Sequence, residues 1–403
     1  MPNFAKIAHE NGFRKINSVY PVVSSVAWTT YATGKNPGEH GIFGFVDRTA
    51  NPFQLTIPTA QDRKADTIWH ELSKQGKRVI VINVPLTYPP EPVNGIMISC
   101  FLCPDINKLC YPSSISQWLI TIGYVIDVDA AVARKSRKEF LDLLNQALDK
   151  RFEVAFKLMQ KEKWDFFQLH IMETDRLFHF FWDDLEKEDR GDFYSELEGF
   201  CTRLDNHIGE LITRLSSDDK LLILSDHGFC GIKSEVQLNT WFEKEGLLKF
   251  EVKNRTSSEN KLEDYHKDSV CYSLIPGRIY VNLKGREEKG TVLSDDLAKV
   301  RCEIRQRLLE FRHPGTNDRV IDRVFFKEEL YEGPYLEDSA DIICQPVRGY
   351  DLKASSQGNV KNIFEKTALN GMHTYDDALI CGRNLDTSSV TCLQDIREKC
   401  LKI

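Results

Sequence analysis

The segment LLILSDHGF, residues 221–229, places a carboxylate and an imidazole directly after four apolar residues. An apolar run without polar alternation is typical of a strand that is buried on both faces. Open α/β sheets present their functional side chains at the carboxyl ends of such strands. We therefore expect Asp226 and His227 at the edge of a sheet, with Gly228 allowing a sharp turn after them. The competing interpretation is a strand-end aspartate that caps a helix, with the histidine as a bystander.

The segments around this strand indicate an α/β fold. Apolar runs at 78–85, 164–171 and 220–228 predict buried parallel strands. Between them, residues 136–160 and 192–215 carry apolar side chains at helical spacing. Strands that alternate with helices in this order form βαβ units, so we predict a mostly parallel sheet between helices.

The pattern changes from about residue 231. The sequence GRIYVNL at 277–283 alternates as a half-buried strand would, and a charged helix is predicted near 294–312. The core pattern is expected to return with SADIICQP at 339–346. We therefore predict a catalytic core formed by residues 1–230 and 331–403, with a smaller α+β lobe inserted at 231–330.

A second strand leads into a possible metal-binding pair. In FFQLHIMETDRLFHFFW, residues 166–182, Asp175 is followed four residues later by His179. If this segment is helical, the i,i+4 spacing places both side chains on one face. Two ligands on one helical face leave the other coordination positions of a metal open. The alternative is an ordinary polar face with a partly buried histidine.

Two further segments carry candidate residues. His373 precedes an apolar strand in GMHTYDDALICG, residues 371–382. Ser24 and Ser25 open a short helical stretch that ends at Gly34. Serine at a helix start is usually an N-cap, but the free N–H groups and the helix dipole there also favour a phosphate group.

Taken in this order, the serine, D-x-x-x-H, S-D-H-G and G-x-H segments resemble the alkaline phosphatase superfamily. Within it, the chain is similar to the type I phosphodiesterases and to predicted phosphohydrolases or phosphomutases. The resemblance covers residues 1–230 and 331–403 best. It implies an alkaline-phosphatase-like core and a phosphoric ester hydrolase that uses two divalent metal ions. Zinc suits such mixed histidine and carboxylate ligands, with manganese or iron as alternatives.

The resemblance also assigns roles to individual residues. It implies that Ser24 is the nucleophile, with Ser25 as the competing candidate. The first metal would be held by Asp175, His179 and His373, and the second by Asp226, His227 and Ser24. Two ions about 4 Å apart can then clamp the attacking and leaving oxygens of a phosphoryl transfer.

The sequence departs from the family pattern at two places. The family opens with a strand whose aspartate binds the second metal, and that strand is not found before the segment at residues 1–15. We therefore expect a clipped member with weaker binding of the second metal and unpaired strand edges in the sheet. In addition, Phe45 stands where nucleotide pyrophosphatases carry an asparagine, which argues against assuming nucleotide specificity. Arg278 is a candidate substrate-binding cation, or else lies at a solvated strand end.

Composition limits the remaining possibilities. The net charge is −7, and no run of eighteen apolar residues occurs, which predicts neither a nucleic-acid partner nor a membrane span. Eleven cysteines without framework spacing favour a cytosolic protein. The expected partner is a small phosphorylated substrate, and the oligomeric state is left open. Three hypotheses follow: a metal-dependent phosphohydrolase, a phosphomutase, or a non-catalytic relative that binds a phosphorylated ligand.

Overall fold

The computed structural model describes residues 1–187, 191–251, 262–354, 362–366 and 368–402. These residues form thirteen α-helices and eighteen β-strands. The helices are α1 (Pro2–Asn11), α2 (Ser24–Thr33), α3 (Pro37–His40), α4 (Ile68–Lys74), α5 (Ser114–Ile122), α6 (Ala130–Lys135), α7 (Arg137–Lys161), α8 (Glu173–Glu186), α9 (Tyr194–Thr213), α10 (Leu238–Lys244), α11 (Leu297–Glu310), α12 (Lys327–Leu330) and α13 (Ile396–Cys400). The strands are β1 (Arg14–Ile16), β2 (Asp47–Ala50), β3 (Phe53–Thr56), β4 (Val79–Ile82), β5 (Gly95–Ile98), β6 (Cys110–Tyr111), β7 (Phe166–Leu169), β8 (Leu221–Leu224), β9 (Gly228–Gly231), β10 (Ser234–Gln237), β11 (Cys271–Leu274), β12 (Arg278–Val281), β13 (Ile321–Phe326), β14 (Ile342–Pro346), β15 (Tyr350–Lys353), β16 (Phe364–Glu365), β17 (Gly371–Thr374) and β18 (Ala378–Arg383).

A four-stranded sheet in the order β6-β5-β4-β7 is parallel except for β6, which pairs antiparallel with β5. β4 pairs in parallel with β5 and with β7. Every residue of β4 is buried because α2 and α4 contribute to the hydrophobic cluster on one face, and α5 and α7 to the cluster on the other. The predicted parallel strands at 78–85 and 164–171 and the predicted α/β class are therefore confirmed.

A second sheet in the order β1-β18-β8 lies beside the first. Both pairings in this sheet are antiparallel. Ile380 of β18 and Val81 of β4 belong to one hydrophobic cluster, together with Val26 and Tyr31 of α2. The helix that begins at Ser24 thus packs against both sheets, which places its first turn near the ends of strands from each of them.

The sequence prediction for β8 was wrong in two respects. β8 pairs antiparallel with β18 rather than in a parallel ladder, and all four of its residues are half-buried. The reason is its position, because within the described residues β8 and β7 each pair with only one neighbouring strand.

An antiparallel sheet in the order β11-β12-β14-β13 contains the strands of the predicted inserted lobe, and it is called the lobe below. β12 was expected to be half-buried, but all four of its residues are buried. Ile304 and Leu308 of α11 and Phe53 of β3 share its hydrophobic cluster, which explains this burial. β14, at 342–346, lies in the same sheet, and the residue at which the core resumes stays a prediction.

The two long helices were predicted well. α7 and α9 match the segments 136–160 and 192–215 to within about two residues. Among the helices of the described residues, none combines the length and apolar character that crossing a bilayer requires.

Candidate active site

The first candidate residue, Ser24, lies at the start of α2. Val23 is in extended conformation before the helix, and the side chain of Ser24 is almost fully buried. The Ser24 hydroxyl lies 3.3 Å from Nε2 of His227. Ser25, the competing nucleophile candidate, is completely buried, and its Oγ has no hydrogen-bond partner within the described residues.

The second group of candidates lies on α8, which follows β7. The predicted helical spacing of Asp175 and His179 is confirmed, and Oδ1 of Asp175 lies 3.6 Å from Nε2 of His179. Both residues fall in the first two turns of the helix, so they face the end of the sheet. The site therefore receives two side chains from one helical face.

The remaining two segments meet as a pair of antiparallel strands. β17 carries His373 and pairs with β9, which follows Asp226 and His227. The rings of His373 and His227 stack with their centroids 3.5 Å apart. Nε2 of His373 lies 3.2 Å from Oδ1 of Asp175 and 3.0 Å from Nε2 of His179. Four separate segments of the sequence thus converge on one centre.

All three imidazoles of the centre have the same orientation. In each ring Nδ1 donates to a backbone carbonyl, which leaves Nε2 facing the shared space. A carbonyl that accepts from the ring nitrogen facing away from the metal is typical of metal-binding histidines, because it fixes the tautomer and the ring plane. The pairs are His179 with Gly371 at 2.8 Å, His373 with Val22 at 3.2 Å and His227 with Gly228 at 3.1 Å.

The spacing of the ligand atoms fits a metal ion. Asp175, His227 and His373 each offer one atom, and these atoms lie within 4.8 Å of one another. Ligands of a tetrahedral zinc ion with bonds of about 2 Å lie about 3.3 Å apart. These three residues come from both predicted ligand sets, because Asp175 and His373 belong to the first set and His227 to the second. Oδ1 of Asp175 is 3.8 Å from Nε2 of His227. The predicted division into two sets stays a prediction.

One carboxylate oxygen of Asp226 is buried without a hydrogen bond. Its Oδ2 lies 3.3 Å from Nε2 of His227 but has no hydrogen bond within the described residues. Burial, together with the charge of Asp175, raises the pKa of Asp226 to about 7. An ionised carboxylate in this position requires a cation to offset its desolvation. The donor set therefore fits a second cation beside the first.

The other titratable groups are in the form that binds metals. Burial alone would raise the pKa of Asp175, but His179, His373 and His227 outweigh it and hold that pKa well below its ordinary value. Burial lowers the pKa of His179, and it lowers that of His227 to about 4. Near neutral pH the carboxylate of Asp175 is thus ionised, and the imidazoles of His179 and His227 are neutral.

A cavity of about 180 Å³ adjoins the centre, with His179 and His373 in its wall. Its lining includes the stacked rings of Tyr20 and Tyr375, whose centroids are 4.2 Å apart. Phe45 also lines it. The sequence analysis missed the cations of this cavity, Arg348 and Lys353, because nothing in the sequence places segment 348–353 on the same cavity as segment 372–376.

Arg278 is not brought to the centre. Only 1% of its surface is exposed, and its guanidinium donates to the carbonyls of Val46 and Ile275. Nη1 lies 3.5 Å from Asp47. These contacts occupy the guanidinium at the junction between the lobe and the β2–β3 hairpin. Binding of substrate by Arg278 stays a prediction.

The sequence matches the family model for type I phosphodiesterase/nucleotide pyrophosphatase over residues 1–376. The chain belongs to this family. It is therefore a phosphoric ester hydrolase of the alkaline phosphatase superfamily, as the sequence analysis predicted. A search of curated protein sequences gave no match.

Solved structures of the superfamily share the fold of this phosphodiesterase family member. Phosphonoacetate hydrolase from Sinorhizobium meliloti 1021, solved with phosphonoformate, has a TM-score of 0.63 at 15% identity, over 100% of this chain and 89% of its own. Human ectonucleotide pyrophosphatase/phosphodiesterase 5 has a TM-score of 0.54 at 14% identity, over 98% and 87%. The alkaline phosphatase PafA has a TM-score of 0.57 at 13% identity, over 99% and 91%.

Proposed function

We propose that the protein hydrolyses small phosphate mono- or diesters through a phosphoserine intermediate on a two-metal site. The observation that carries this proposal is that three imidazoles direct Nε2 into one shared space, while Nδ1 of each ring donates to a backbone carbonyl. Nε2 atoms of His179 and His373 only 3.0 Å apart repel one another unless a cation or proton lies between them.

The ligands divide between two divalent ions. Zinc suits this mixture of imidazole and carboxylate, with manganese or iron as alternatives. Bound ions would favour the serine alkoxide and neutralise charge on the phosphoryl oxygens. The proposed first set is Asp175, His179 and His373, and the second set is Asp226, His227 and Ser24.

The protein residues then have defined tasks. Ser24 Oγ attacks phosphorus, and the ester oxygen leaves on the opposite side, which gives the phosphoserine. Its hydroxyl proton would pass to solvent when Ser24 becomes a ligand of the second ion, because a bound ion favours the alkoxide. Water then attacks the phosphorus of this intermediate and restores Ser24, which releases phosphate from a monoester substrate or a phosphate monoester from a diester substrate. The first turn of α2 supplies free N–H groups toward the bound phosphoryl group.

The cavity supports a small substrate. Its volume of about 180 Å³ lies below the roughly 300 Å³ at which pockets for drug-sized ligands begin. The S. meliloti hydrolase was solved with phosphonoformate, and a murine phosphodiesterase 5 with AMP. Phe45 in the cavity wall offers no polar contact to a nucleotide phosphate. We therefore favour compact phosphate esters over dinucleotides.

Two matched variants test this function. Ser24→Ala should abolish hydrolysis of p-nitrophenyl phosphate and of bis(p-nitrophenyl) phosphate, whereas Ser25→Ala should retain it. The reason is that Ser24 faces His227, while the hydroxyl of Ser25 is fully buried. Wild-type turnover by Ser24→Ala would refute the phosphoserine mechanism, and loss only in Ser25→Ala would transfer the role to that residue.

A phosphomutase is the second candidate. Ile275 and Pro276, from the turn between β11 and β12 of the lobe, line the cavity next to His373. A lobe that covers the site can exclude water, so that the phosphoserine returns its phosphate to the substrate. Substrate labelled with ³²P distinguishes the two, because a mutase transfers the label to an isomeric product and releases no free phosphate.

A further inference from the structure

A buried ion pair joins the first turn of α8 to α7. Arg151 of α7 is completely buried, and Glu173 is the first residue of α8. Nη2 of Arg151 lies 2.7 Å from Oε1 of Glu173, and Nε lies 3.2 Å from the same oxygen. The pair lies two residues before Asp175, so it acts on the turn that carries this proposed ligand.

The same turn is tied to the segment 124–127 from two directions. Arg151 donates to the Tyr124 hydroxyl and, at 3.2 Å, to the carbonyl of Ile126. Arg176 of α8 holds Asp127 with Nη2–Oδ2 and Nε–Oδ1 distances of 2.6 and 3.3 Å. Asp175 therefore lies between Glu173, which is held to this segment through Arg151, and Arg176, which pairs with it directly.

Stability alone does not account for a buried pair of this kind. Desolvation of two charges often cancels their attraction, and apolar replacements of similar volume are frequently neutral or stabilising. The pair can instead fix the position of the helical turn that carries Asp175. Oδ1 of Asp175 is 3.2, 3.6 and 3.8 Å from the Nε2 atoms of His373, His179 and His227. A small rotation of the first turn of α8 would disturb all three separations together.

We propose that Arg151 and Glu173 are positioning residues that hold Asp175 in ligand geometry, with the Arg176–Asp127 pair in support. The proposal rests on the proposed metal site. Residues that orient metal ligands through a second contact commonly change metal affinity about 10–100-fold when they are replaced. Arg151 itself touches neither substrate nor metal in this account.

The test measures Zn²⁺ affinity by competition with a chromophoric chelator, and the absorption spectrum of the Co²⁺ form. Arg151→Met should weaken Zn²⁺ binding at least tenfold and change the Co²⁺ spectrum. Arg48→Met is the matched control, because Arg48 pairs with Glu287 at the same 2.7 Å and both side chains are nearly fully buried. It should lose stability without a change in Zn²⁺ affinity.

The outcomes separate this proposal from the proposed function. A wild-type protein that binds no Zn²⁺ would refute the metal site itself. Wild-type affinity in folded Arg151→Met, or an equal loss in Arg48→Met, would overturn only the positioning role. If Arg151→Met does not fold, Asp127→Asn replaces it, because that pair is about one-fifth exposed. Weaker Zn²⁺ binding by Asp127→Asn supports the proposal, and unchanged binding overturns it.

Discussion

At the scale of single residues, the site is defined by polar atoms that lack protein partners. Oδ2 of Asp226 and Oγ of Ser25 have no hydrogen bond within the described residues, although both residues are at least nine-tenths buried. Buried polar atoms are normally paired, and an unpaired carboxylate oxygen beside His227 fits a site that binds an ion. By contrast, both ring nitrogens of His40, which packs against α2, have hydrogen-bond partners. The two kinds of residue make different predictions.

His40 predicts a pH dependence of stability. It is fully buried, accepts from the amide of Ile42 at Nδ1, and lies 3.0 Å from Oγ1 of Thr30 in α2. Burial, aided by Arg63, lowers its pKa to about 3. Below the unfolded-state pKa of about 6.5, the unfolded chain binds a proton that the native state does not, so stability falls as the pH falls.

We expect His40→Gln to reduce the loss of unfolding free energy between pH 6.5 and pH 4.5. A single such histidine accounts for up to about 1.4 kcal/mol per pH unit, the slope being about half of this at pH 6.5 and rising toward it at pH 4.5. Urea unfolding at both pH values measures the difference, and replacement of the exposed His9 controls for loss of a histidine as such. An unchanged pH dependence in His40→Gln would contradict this account.

At the scale of elements, the close approach of β17 and α8 sets the distance between ligands. A Cβ atom added at Gly371 would lie 2.2 Å from the carbonyl oxygen of Phe178. The same glycine supplies the carbonyl that accepts from His179. A strand and a helix can approach this closely only because the position carries no side chain.

Gly371→Ala should therefore destabilise the protein and weaken Zn²⁺ binding. Overpacking of this kind costs about 1–3 kcal/mol, and the shift separates His179 from His373. Gly199→Ala is the control, because its Cβ would meet nothing within 4 Å on the exposed side of α9. We expect it to stabilise the protein by up to about 1 kcal/mol. Urea unfolding and Zn²⁺ titration of both variants separate an effect specific to position 371 from the effect that replacing any glycine has on stability. Wild-type stability and Zn²⁺ binding in Gly371→Ala would contradict the argument.

At the scale of the whole molecule, the lobe and the core share the walls of one cavity. Ile275 and Pro276 come from the lobe, while His179 and His373 come from the core. Arg278 lies at the root of this lobe strand, with its guanidinium held by backbone carbonyls. We infer that Arg278 fixes the lobe relative to the β2–β3 hairpin.

Arg278→Met should accordingly lower the free energy of unfolding by several kcal/mol, because Asp47 and two carbonyls lose their partner. The activity per folded molecule of this variant should be affected less strongly than its free energy of unfolding. Urea unfolding and steady-state kinetics on the same preparations measure both effects. A raised KM with wild-type stability would instead support the direct contact with substrate that the sequence suggested.

Much of this arrangement could be predicted from the sequence, because local patterns carry it. The parallel strands β4 and β7, the helices α7 to α9 and the i,i+4 pair of Asp175 and His179 follow from periodicity and spacing. The pairing of β8 with β18 could not, because strand partners are chosen by contacts distant in sequence. For the same reason the burial of Arg278 and the cations of the cavity, Arg348 and Lys353, were not predicted.

The most direct test of the central claim is the metal content per chain of the purified 403-residue protein, measured by elemental mass spectrometry after loading with Zn²⁺ and removal of the excess. The account predicts two equivalents, because the proposed ligands Asp175, His179 and His373 lie next to His227 and Asp226, and Oδ2 of Asp226 has no hydrogen bond within the described residues. A content of one equivalent or none would contradict the two-metal site.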